Sequence, residues 1–481
     1  MAYRDLQHFL ETLQEKGLLR RIRAEVSQDL EISGIADRTV KAAGPALLFE
    51  NVRGHSIPVA INLFGTAERM ALALEVPSLD ALAERLSPVL TLATRPPSGG
   101  LLEKIKTLPR LVDLAGILPK TVSDGICKEV VLRGDQADLE RFPVLKCWPG
   151  DAGRFLTFPL VFTRDPESGT RNVGIYRMQV FDRRTTGMHI HWHKDGARHL
   201  RKARSPLPAA VAVGCDPALC FAAALPLPPD LDEALFAGFL RGEATPLVKC
   251  ETIDLEAPAN AEIVLEGTLD PAEKRREGPF GDHTGYYSPQ DDFPVFRIRA
   301  ITHRARPVYH AALVGPPPQE DAVLGAAIER LMLPLLRLHL PEVVDYHMPP
   351  EGVFHNLMLV SIRKQYPGHA RKVMHAIWGL PQAMCTKCLV VLDEEVNVRD
   401  PREVCWKALS HIDPERDFEF TMGPVDLLDH ASRLPGYGSR VGIDATRKLP
   451  GEGFGRPWPD EIRMSPDVRA RIDRLCRELG L

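Results

Sequence analysis

The chain opens on a helical period of apolar residues. Four of them recur at three- and four-residue spacing and so share one helix face: Leu6, Phe9, Leu10 and Leu13. Asp5 stands where an N-cap is needed, and Gly17 stands where a helix commonly ends. The pattern predicts a first helix between these two residues.

Short strands and helices then alternate, as at 46–49 and 58–63, up to the run Arg95-Pro96-Pro97-Ser98-Gly99-Gly100. This run of helix and strand breakers predicts a domain boundary or a long loop. Between about 120 and 310 the pattern becomes strand-like, at 129–132, 160–162, 173–180, 209–213, 261–265 and 295–301. The middle region is therefore predicted to form a β-rich barrel or sandwich.

A helical period returns after the glycine and proline run at 315–318, with apolar residues at Val323, Ala326, Ala327 and Leu331. The C-terminal third then mixes a strand-like segment at 388–392 with a helical one at 402–409. This mixture is typical of an α/β domain.

Composition narrows the class of protein. At 481 residues the chain exceeds a single hydrophobic core, so two or three domains are expected. The 60 basic and 64 acidic residues are well mixed, which disfavours binding to nucleic acid or to an anionic membrane surface. No uninterrupted apolar stretch approaches the length of a membrane span, and nine cysteines without regular spacing fit reduced thiols. We therefore expect a cytoplasmic protein.

Three histidines alternate in the run Met188-His189-Ile190-His191-Trp192-His193-Lys194. If this run is a strand, His189, His191 and His193 share one face with imidazoles about 6.5 to 7 Å apart. One histidine can then be a metal ligand while its neighbours contact something else. A half-exposed strand with solvated histidines explains the run equally well.

A second candidate motif is the run from Glu277 to Tyr287, EGPFGDHTGYY. Two carboxylates, Glu277 and Asp282, are separated by two glycines and a proline, which predicts a turn and allows both to face one cleft. Two carboxylates packed together cannot both ionise cheaply, so we expect one pKa to rise toward the range useful for proton transfer. A polar surface turn is the alternative interpretation.

A third candidate is the strand-like segment 171–177, which ends in Arg177. A guanidinium on a rigid strand suits bidentate hydrogen bonding to a carboxylate. A solvated edge arginine is the alternative. Two other patterns do not point to a site. Cys385-Thr386-Lys387-Cys388 has no second cysteine pair, and no glycine-rich nucleotide loop follows a strand.

Taken together, these stretches resemble the UbiD family of decarboxylases over nearly the whole chain. The best single mark is the run EGPFGDHTGYY. The other matching segments lie in the same order along the chain, at 3–17, 44–51, 62–65, 146–149, 172–177, 248–250, 364–370 and 438–452.

The resemblance implies a multidomain chain of the α/β and α+β classes. An N-terminal α/β domain is expected at 1–115, a flavin-reductase-like split β-barrel that binds prenylated FMN at 116–312, and a C-terminal α/β oligomerisation domain at 313–481. The family's metal ligands would fall on Asn172, His193 and Glu233, which suit Mn2+ or Mg2+, with a K+ site close by.

The resemblance also assigns the remaining site residues. Arg177, Glu277 and Asp282 would form the catalytic triad. The positions expected to contact the prenylated flavin are Ile175, Tyr176, Arg177, His189, Ile190, His191, Lys194, Asp195 and Lys387.

The implied activity is the reversible, non-oxidative decarboxylation of an aromatic carboxylic acid. Asp282 favours the branch that acts on 4-hydroxyaryl acids or quinone precursors over one acting on small catabolic arene or heteroarene acids. A flavin-dependent oxidoreductase and a non-catalytic flavin-binding protein are the alternatives, and the triad argues against the second. Expected partners are a flavin prenyltransferase that supplies the cofactor and further copies of the chain in a homodimer or homohexamer. At most a peripheral association with membranes is expected.

Overall fold

A computed structural model describes residues 2–86, 116–228, 231–381 and 383–480. The breaker run at 95–100, predicted to be a boundary or long loop, lies outside these described residues. Among the described residues, no helix is both long and apolar enough to cross a membrane.

The N-terminal part alternates short helices and strands. Its elements are α1 (Leu6–Glu15), β1 (Leu19–Ile22), α2 (Glu31–Lys41), β2 (Ala46–Phe49), β3 (Val59–Ile61) and α3 (Ala67–Ala73). The prediction for α1 is confirmed, because the Asp5 carboxylate caps it by accepting a hydrogen bond from the His8 backbone N–H at 2.8 Å. Its four apolar residues are buried, and Gly17 follows with φ of +71°.

The central part is mostly β-structure, as predicted. Its first elements are β4 (Lys120–Val122), β5 (Val130–Arg133), β6 (Phe155–Leu156), β7 (Leu160–Arg164), β8 (Arg171–Ile175), β9 (Met178–Asp182), β10 (Thr185–Met188), α4 (Asp195–Lys202) and β11 (Leu207–Val213). They are followed by α5 (Pro217–Ala222), α6 (Glu233–Arg241), β12 (Pro246–Lys249), β13 (Glu256–Pro258), β14 (Ile263–Glu277), β15 (Phe280–Gly281), β16 (Tyr287–Ser288), β17 (Asp291–His303) and β18 (Tyr309–His310).

The C-terminal part returns to mixed helices and strands. Its elements are α7 (Glu320–His339), β19 (Val343–His347), β20 (Leu357–Ile362), α8 (His369–Trp378), β21 (Cys388–Asp393), α9 (Pro401–His411), α10 (Pro414–Asp417), β22 (Phe418–Pro424), β23 (Tyr437–Asp444) and α11 (Pro466–Leu479). Strands β20, β21 and β23 are parallel neighbours, with β19 and β22 antiparallel at the two edges.

A nine-stranded sheet forms the centre of the molecule, in the order β6-β9-β10-β17-β14-β11-β7-β8, with β5 paired to β17. The long antiparallel pair β14 and β17 lies at the centre of this sheet. Register shifts after Glu266 and Leu269 bend the pair. The sheet curls into a half-barrel, so the predicted fold class is confirmed. Strand β18 leaves this part and pairs with β3 at the edge of the N-terminal sheet, which joins the two parts.

Candidate active site

Arg177 lies where the chain passes from one strand to the next. The sequence predicted one strand over 173–180, but β8 ends at Ile175 and β9 begins at Met178. The two strands have different partners, since β8 pairs with β7 while β9 pairs with β6 and β10. The chain changes direction at Tyr176 and Arg177, which carries the arginine off the sheet and into a buried cluster.

The Arg177 guanidinium binds both predicted carboxylates. Its Nε and Nη2 donate to Glu277 Oε1 and Oε2 at 2.9 and 3.1 Å, while its Nη1 donates to Asp282 Oδ2. Nη2 also donates to Ser288 Oγ at 2.9 Å, and the guanidinium carbon lies 4.7 Å from the centre of the Phe280 ring. The arginine side chain is only 8% exposed, so this is a buried ionic cluster.

Hydrogen bonds from backbone N–H groups hold the segment between the two carboxylates in place. Gly278, with φ of +88°, donates its N–H to Gln179 Oε1 at 2.8 Å. Gly281 donates its N–H to Asp151 Oδ1 at 2.8 Å, and a Cβ there would lie 2.3 Å from Trp148 Cδ1. The prediction of a turn is confirmed, and Gly281 is required because the tryptophan fills the space of a side chain.

The expectation that one carboxylate has a raised pKa is wrong for this state of the protein. Burial favours the protonated form of Glu277, but hydrogen bonds from His189 and Arg177 outweigh burial and lower its pKa. Burial likewise opposes ionisation of Asp282, yet the hydrogen bond from His283 and the charge of Arg177 hold its pKa well below the ordinary value. The expected rise came from considering the two carboxylates alone, whereas the folded chain places Arg177 and His283 beside them.

The histidine run is a loop and a turn rather than a strand. Strand β10 ends at Met188, and the chain turns toward α4, which brings neighbouring rings closer than strand spacing. The centres of the His189 and His191 rings are 4.9 Å apart, and those of His191 and His193 are 5.6 Å apart. His189 Nδ1 lies 3.2 Å from Glu277 Oε2. Burial lowers the pKa of His189, and it lowers that of His191 to about 3, so both rings are neutral at pH 7.

Two of the three predicted metal ligands meet around Tyr176. Glu233 Oε2 accepts a hydrogen bond from the N–H of Val173, the residue after Asn172 in β8, at 2.7 Å. The Tyr176 hydroxyl accepts a hydrogen bond from the Gly196 N–H at 3.3 Å, at the start of α4. Burial raises the pKa of Glu233 to about 8, and the buried Asn172 Nδ2 has no hydrogen-bond partner among the described residues.

His193, the third predicted ligand, lies in the exposed turn before α4. In the described part of the chain, no hydrogen bond or ion pair joins it to Asn172 or Glu233. No group of three or more His, Cys, Asp and Glu side chains able to hold a metal occurs there either. The predicted set includes an amide, so it would not form such a group even when complete.

The other predicted cofactor positions surround the same region. Ile175 ends β8, Ile190 is buried beside the histidines, Lys194 is the N-cap residue of α4, and Asp195 is its first residue. Lys387 precedes β21, and its Nζ lies 2.9 Å from Asp429 Oδ2.

A cavity of about 490 Å³ adjoins the ionic cluster, between the central and C-terminal parts. His189 reaches it from the cluster side, and Tyr287 and Phe293 line its central wall. Leu427 and His430 line the opposite wall, which comes from the loop between β22 and β23. Sequence reasoning missed this loop because it carries no motif and meets the site only in the folded chain. A larger groove of about 820 Å³ near α1 contains none of the predicted site residues.

Three family models match the chain in order. They describe the N-terminal, Rift-related and C-terminal domains of 3-octaprenyl-4-hydroxybenzoate carboxy-lyase, and they match residues 10–86, 120–317 and 322–445 respectively. An uncharacterised protein of Archaeoglobus fulgidus is 51% identical over 100% of this chain and 99% of its own length.

Solved structures of similar proteins cover nearly the whole chain. The UbiD-class enzyme HmfF from Pelotomaculum thermopropionicum, solved with FMN, is 32% identical over 97% of this chain and 98% of its own, with a TM-score of 0.79. An evolved dimeric form of HmfF, solved with prFMN, is also 32% identical over these shares of the two chains, with a TM-score of 0.77. The closed form of Sedimentibacter hydroxybenzoicus vanillic acid decarboxylase is 28% identical over 100% of this chain and 99% of its own, with a TM-score of 0.86.

Replacing Arg177→Met tests the electrostatics of the cluster. In the wild type the pKa values of both carboxyl groups are lowered. The ionised carboxylates therefore add to the free energy of unfolding above about pH 4, and this contribution is lost as the pH falls through the pKa values of the folded protein. Without the Arg177 cation, burial is the largest influence on the two carboxyl groups, and both pKa values rise. The free energy of unfolding at pH 7 should fall by about 3 kcal/mol. Carboxyl 13C NMR titration and unfolding measured against pH check this outcome.

The matched control is Arg275→Met, because the Arg275 side chain is 52% exposed and its nearest carboxylate is 4.0 Å away. This change should leave the pKa values of Glu277 and Asp282 unaltered, and it should leave the fall in stability at low pH nearly unaltered. Unchanged carboxyl pKa values in Arg177→Met would contradict the ionic cluster.

Proposed function

The chain belongs to the UbiD family of carboxy-lyases, and we propose that it removes CO2 from an aromatic carboxylic acid with the help of prenylated FMN. The observation that carries the proposal is the buried cluster of Arg177, Glu277 and Asp282 beside a cavity of about 490 Å³. A guanidinium next to a cavity suits a planar carboxylate, and the adjacent acids suit proton transfer.

Breaking the bond between an sp2 carbon and a carboxylate leaves electrons that no side chain can accept. A prenylated flavin supplies that electron sink when bound, and the FMN and prFMN complexes of HmfF support a flavin cofactor for this chain. The protein then has to position the acid, exclude water and deliver one proton.

Arg177 orients the substrate carboxylate. In the present state both faces of its fork are occupied, with Glu277 on one side and Asp282 on the other. A substrate carboxylate that reaches the guanidinium competes with these acids for its hydrogen bonds. Losing contact with the cation raises the pKa values of the two acids and makes them stronger bases. Glu277 or Asp282 can then carry the proton to the carbon that has lost CO2.

A divalent metal, Mn2+ or Mg2+, is proposed to lie between Asn172, Glu233 and His193. Burial raises the pKa of the Glu233 carboxyl, an effect that a bound cation would offset, and the buried Asn172 could offer its amide oxygen. One carboxylate, one amide and one imidazole form a suitable donor set, so these residues fit such an ion. A K+ ion is proposed nearby, and the metal would hold the phosphate of the cofactor.

The remaining predicted contacts are proposed to hold the flavin. They are Ile175, Tyr176, His189, Ile190, His191, Lys194, Asp195 and Lys387. Their arrangement supports this because Glu277 accepts hydrogen bonds from both Arg177 in the β8–β9 link and His189 in the histidine loop. The Gly196 N–H in α4 also donates to the Tyr176 hydroxyl in that link.

The substrate is proposed to be a 4-hydroxyaryl acid or a quinone precursor. Phe293 and Leu427 give the cavity apolar walls for an arene, and His430 offers a polar group on the opposite wall. The matched family models carry the name of a hydroxybenzoate carboxy-lyase. We further propose that the chain acts in the cytoplasm as a homodimer or homohexamer and receives its cofactor from a flavin prenyltransferase.

Co-expression with a flavin prenyltransferase tests the proposed function. The purified protein should release CO2 from at least one acid in a panel of hydroxyaryl, naphthoic and small arene acids, measured by product formation. Protein made without the prenyltransferase should be nearly inactive, because unmodified FMN lacks the electron sink. Full activity with unmodified FMN would refute the mechanism, and NAD(P)H-dependent bleaching without CO2 release would favour an oxidoreductase.

Glu277→Gln and Asp282→Asn test the acid pair. Each amide keeps the size of the side chain but cannot carry the proton, so turnover should fall by a factor on the order of 10² to 10⁴. The double variant should cost much less than the product of the single effects, because the residues act as a unit. Turnover and H/D exchange at the product carbon measure this effect.

Glu273→Gln is the matched control, since Glu273 lies on the same strand β14 but pairs at the surface with Arg297. It should turn over at the wild-type rate. Flavin and metal content should be unchanged in all these variants. Near-wild-type turnover in both acid variants would overturn the assignment.

Glu233→Gln tests the metal site. The amide still accepts the hydrogen bond from the Val173 N–H but lacks the negative charge, so affinity for Mn2+ should fall by about 10-fold or more. Metal content by mass spectrometry and Mn2+ titration measure the change. Glu167→Gln, at a side chain that is 67% exposed, is the control and should bind like the wild type. Equal Mn2+ binding by the two variants would exclude Glu233 as a ligand.

A further inference from the structure

A line of hydrogen bonds leads away from the acid pair into the C-terminal part. His283 Nδ1 lies 2.9 Å from Asp282 Oδ1, and its Nε2 lies 3.2 Å from His355 Nε2. His355 Nδ1 in turn lies 3.2 Å from Asn356 Oδ1. His283 therefore joins a residue of the proposed catalytic cluster to a loop that precedes β20.

These contacts determine where the protons lie. Asp282 is a carboxylate and only accepts, so His283 Nδ1 carries a proton. Asn356 Oδ1 also only accepts, so His355 Nδ1 carries a proton and a neutral His355 accepts at Nε2. The contact between the two Nε2 atoms needs one proton, which must then belong to His283. With the buried His355 neutral and Asn356 Oδ1 as its acceptor, the geometry fits His283 as an imidazolium with a proton on each nitrogen.

The surroundings of His283 support this charge. Carboxylates face it from three elements: Asp282 on its own loop, Asp321 at the start of α7, and Asp426 in the loop after β22. Burial opposes the charged form, but the hydrogen bond and charge of Asp282 and the charges of the other two acids raise the pKa of His283 to about 9.

The neighbouring groups do not cancel this effect. Burial raises the pKa of Asp321 to about 7, whereas burial of His355 lowers its pKa and keeps that ring neutral. His355 Nε2 also lies 3.7 Å from Asp426 Oδ2. The Phe354 ring lies nearly parallel to the imidazole of His283, with ring centres 6.2 Å apart.

The reaction needs a proton that the acid pair does not hold at rest. Loss of CO2 from a carboxylate consumes one proton at carbon, yet Glu277 and Asp282 are both ionised in the present state. Burial and nearby charges lower the pKa of His189 and His191, so these rings are neutral. His283 is the charged acid hydrogen-bonded directly to the pair.

We propose that His283 is the proton reservoir of the acid pair and that His355 positions it by accepting its second N–H. This inference rests on the proposed function. When a substrate carboxylate draws Arg177 away from Asp282, the His283 Nδ1–H bond breaks and an O–H bond forms at Asp282 Oδ1. The electron pair returns to the nitrogen, and His283 becomes neutral. Asp282 then carries the proton to the substrate carbon, and solvent restores it after the product leaves.

The first test is His283→Asn in the holoenzyme. The asparagine amide still donates to Asp282 from the position of Nδ1 but carries no transferable proton, so kcat should fall on the order of 10²-fold with KM little changed. Because the pKa of His283 is raised, its proton is present below about pH 9 and is lost as pH rises through that value. Wild-type turnover should therefore decline near pH 9, and this basic limb should be absent in the variant.

Variants of His355 separate positioning from packing. His355→Leu removes the acceptor of the His283 Nε2–H, so the decline of turnover at basic pH should move to lower pH. The glutamine of His355→Gln can accept this hydrogen bond, so the decline should return to its wild-type pH. His375→Asn is the control, because that histidine is 57% exposed on α8 and should change neither rate nor pH profile. A purely packing role would lower stability without moving the limb.

Nitrogen-15 NMR of the wild-type histidines decides the point without activity. His283 should stay doubly protonated up to about pH 9, and a titration at or below the ordinary histidine pKa of about 6.5 would overturn the proposal. An active wild type whose His283→Asn variant keeps both rate and basic limb would also overturn it and leave the proposed function standing. A loaded wild type that releases no CO2 would refute the proposed function, while the NMR result would still decide the state of His283.

Discussion

The ionic contact of Arg177 with two buried carboxylates is the constraint around which the centre of the molecule is built. Two carboxylates deprived of water and placed side by side repel each other strongly, and only a cation between them makes their burial tolerable. That cation must come from the break between β8 and β9, while the acids come from the end of β14 and the loop beyond it. The curled sheet brings these distant segments together.

The site is completed by a surface that the sheet does not provide. One wall of the cavity belongs to the loop between β22 and β23, and the Tyr286 and His430 rings meet across it with centres 4.2 Å apart. Lys387 and Asp429 pair at 2.9 Å on the C-terminal side. The central part therefore supplies the charged groups, and the C-terminal part supplies the opposite wall of the cavity.

Local patterns predicted what local interactions determine. The cap of α1 at Asp5 and the glycine turn after Glu277 follow from neighbours in sequence, and both are confirmed. The segment 173–180 was predicted as one strand, and the histidine run was considered as a possible strand, but the pairing of the strands ends β8 at Ile175 and β10 at Met188. The same limit explains the pKa error, since no spacing rule places Arg177 between Glu277 and Asp282.

The charges of the cluster explain how such a site can couple binding to proton supply. In the proposed resting state Arg177 and His283 are positive and Glu277 and Asp282 are negative, so the charges of these four groups balance. A substrate carboxylate would bring one further negative charge next to this cluster. The balance is restored when an acid of the pair takes up a proton, because an added anion raises the pKa of its carboxylate neighbours. In the proposed mechanism, substrate binding would thus favour transfer of the proton from His283 to Asp282.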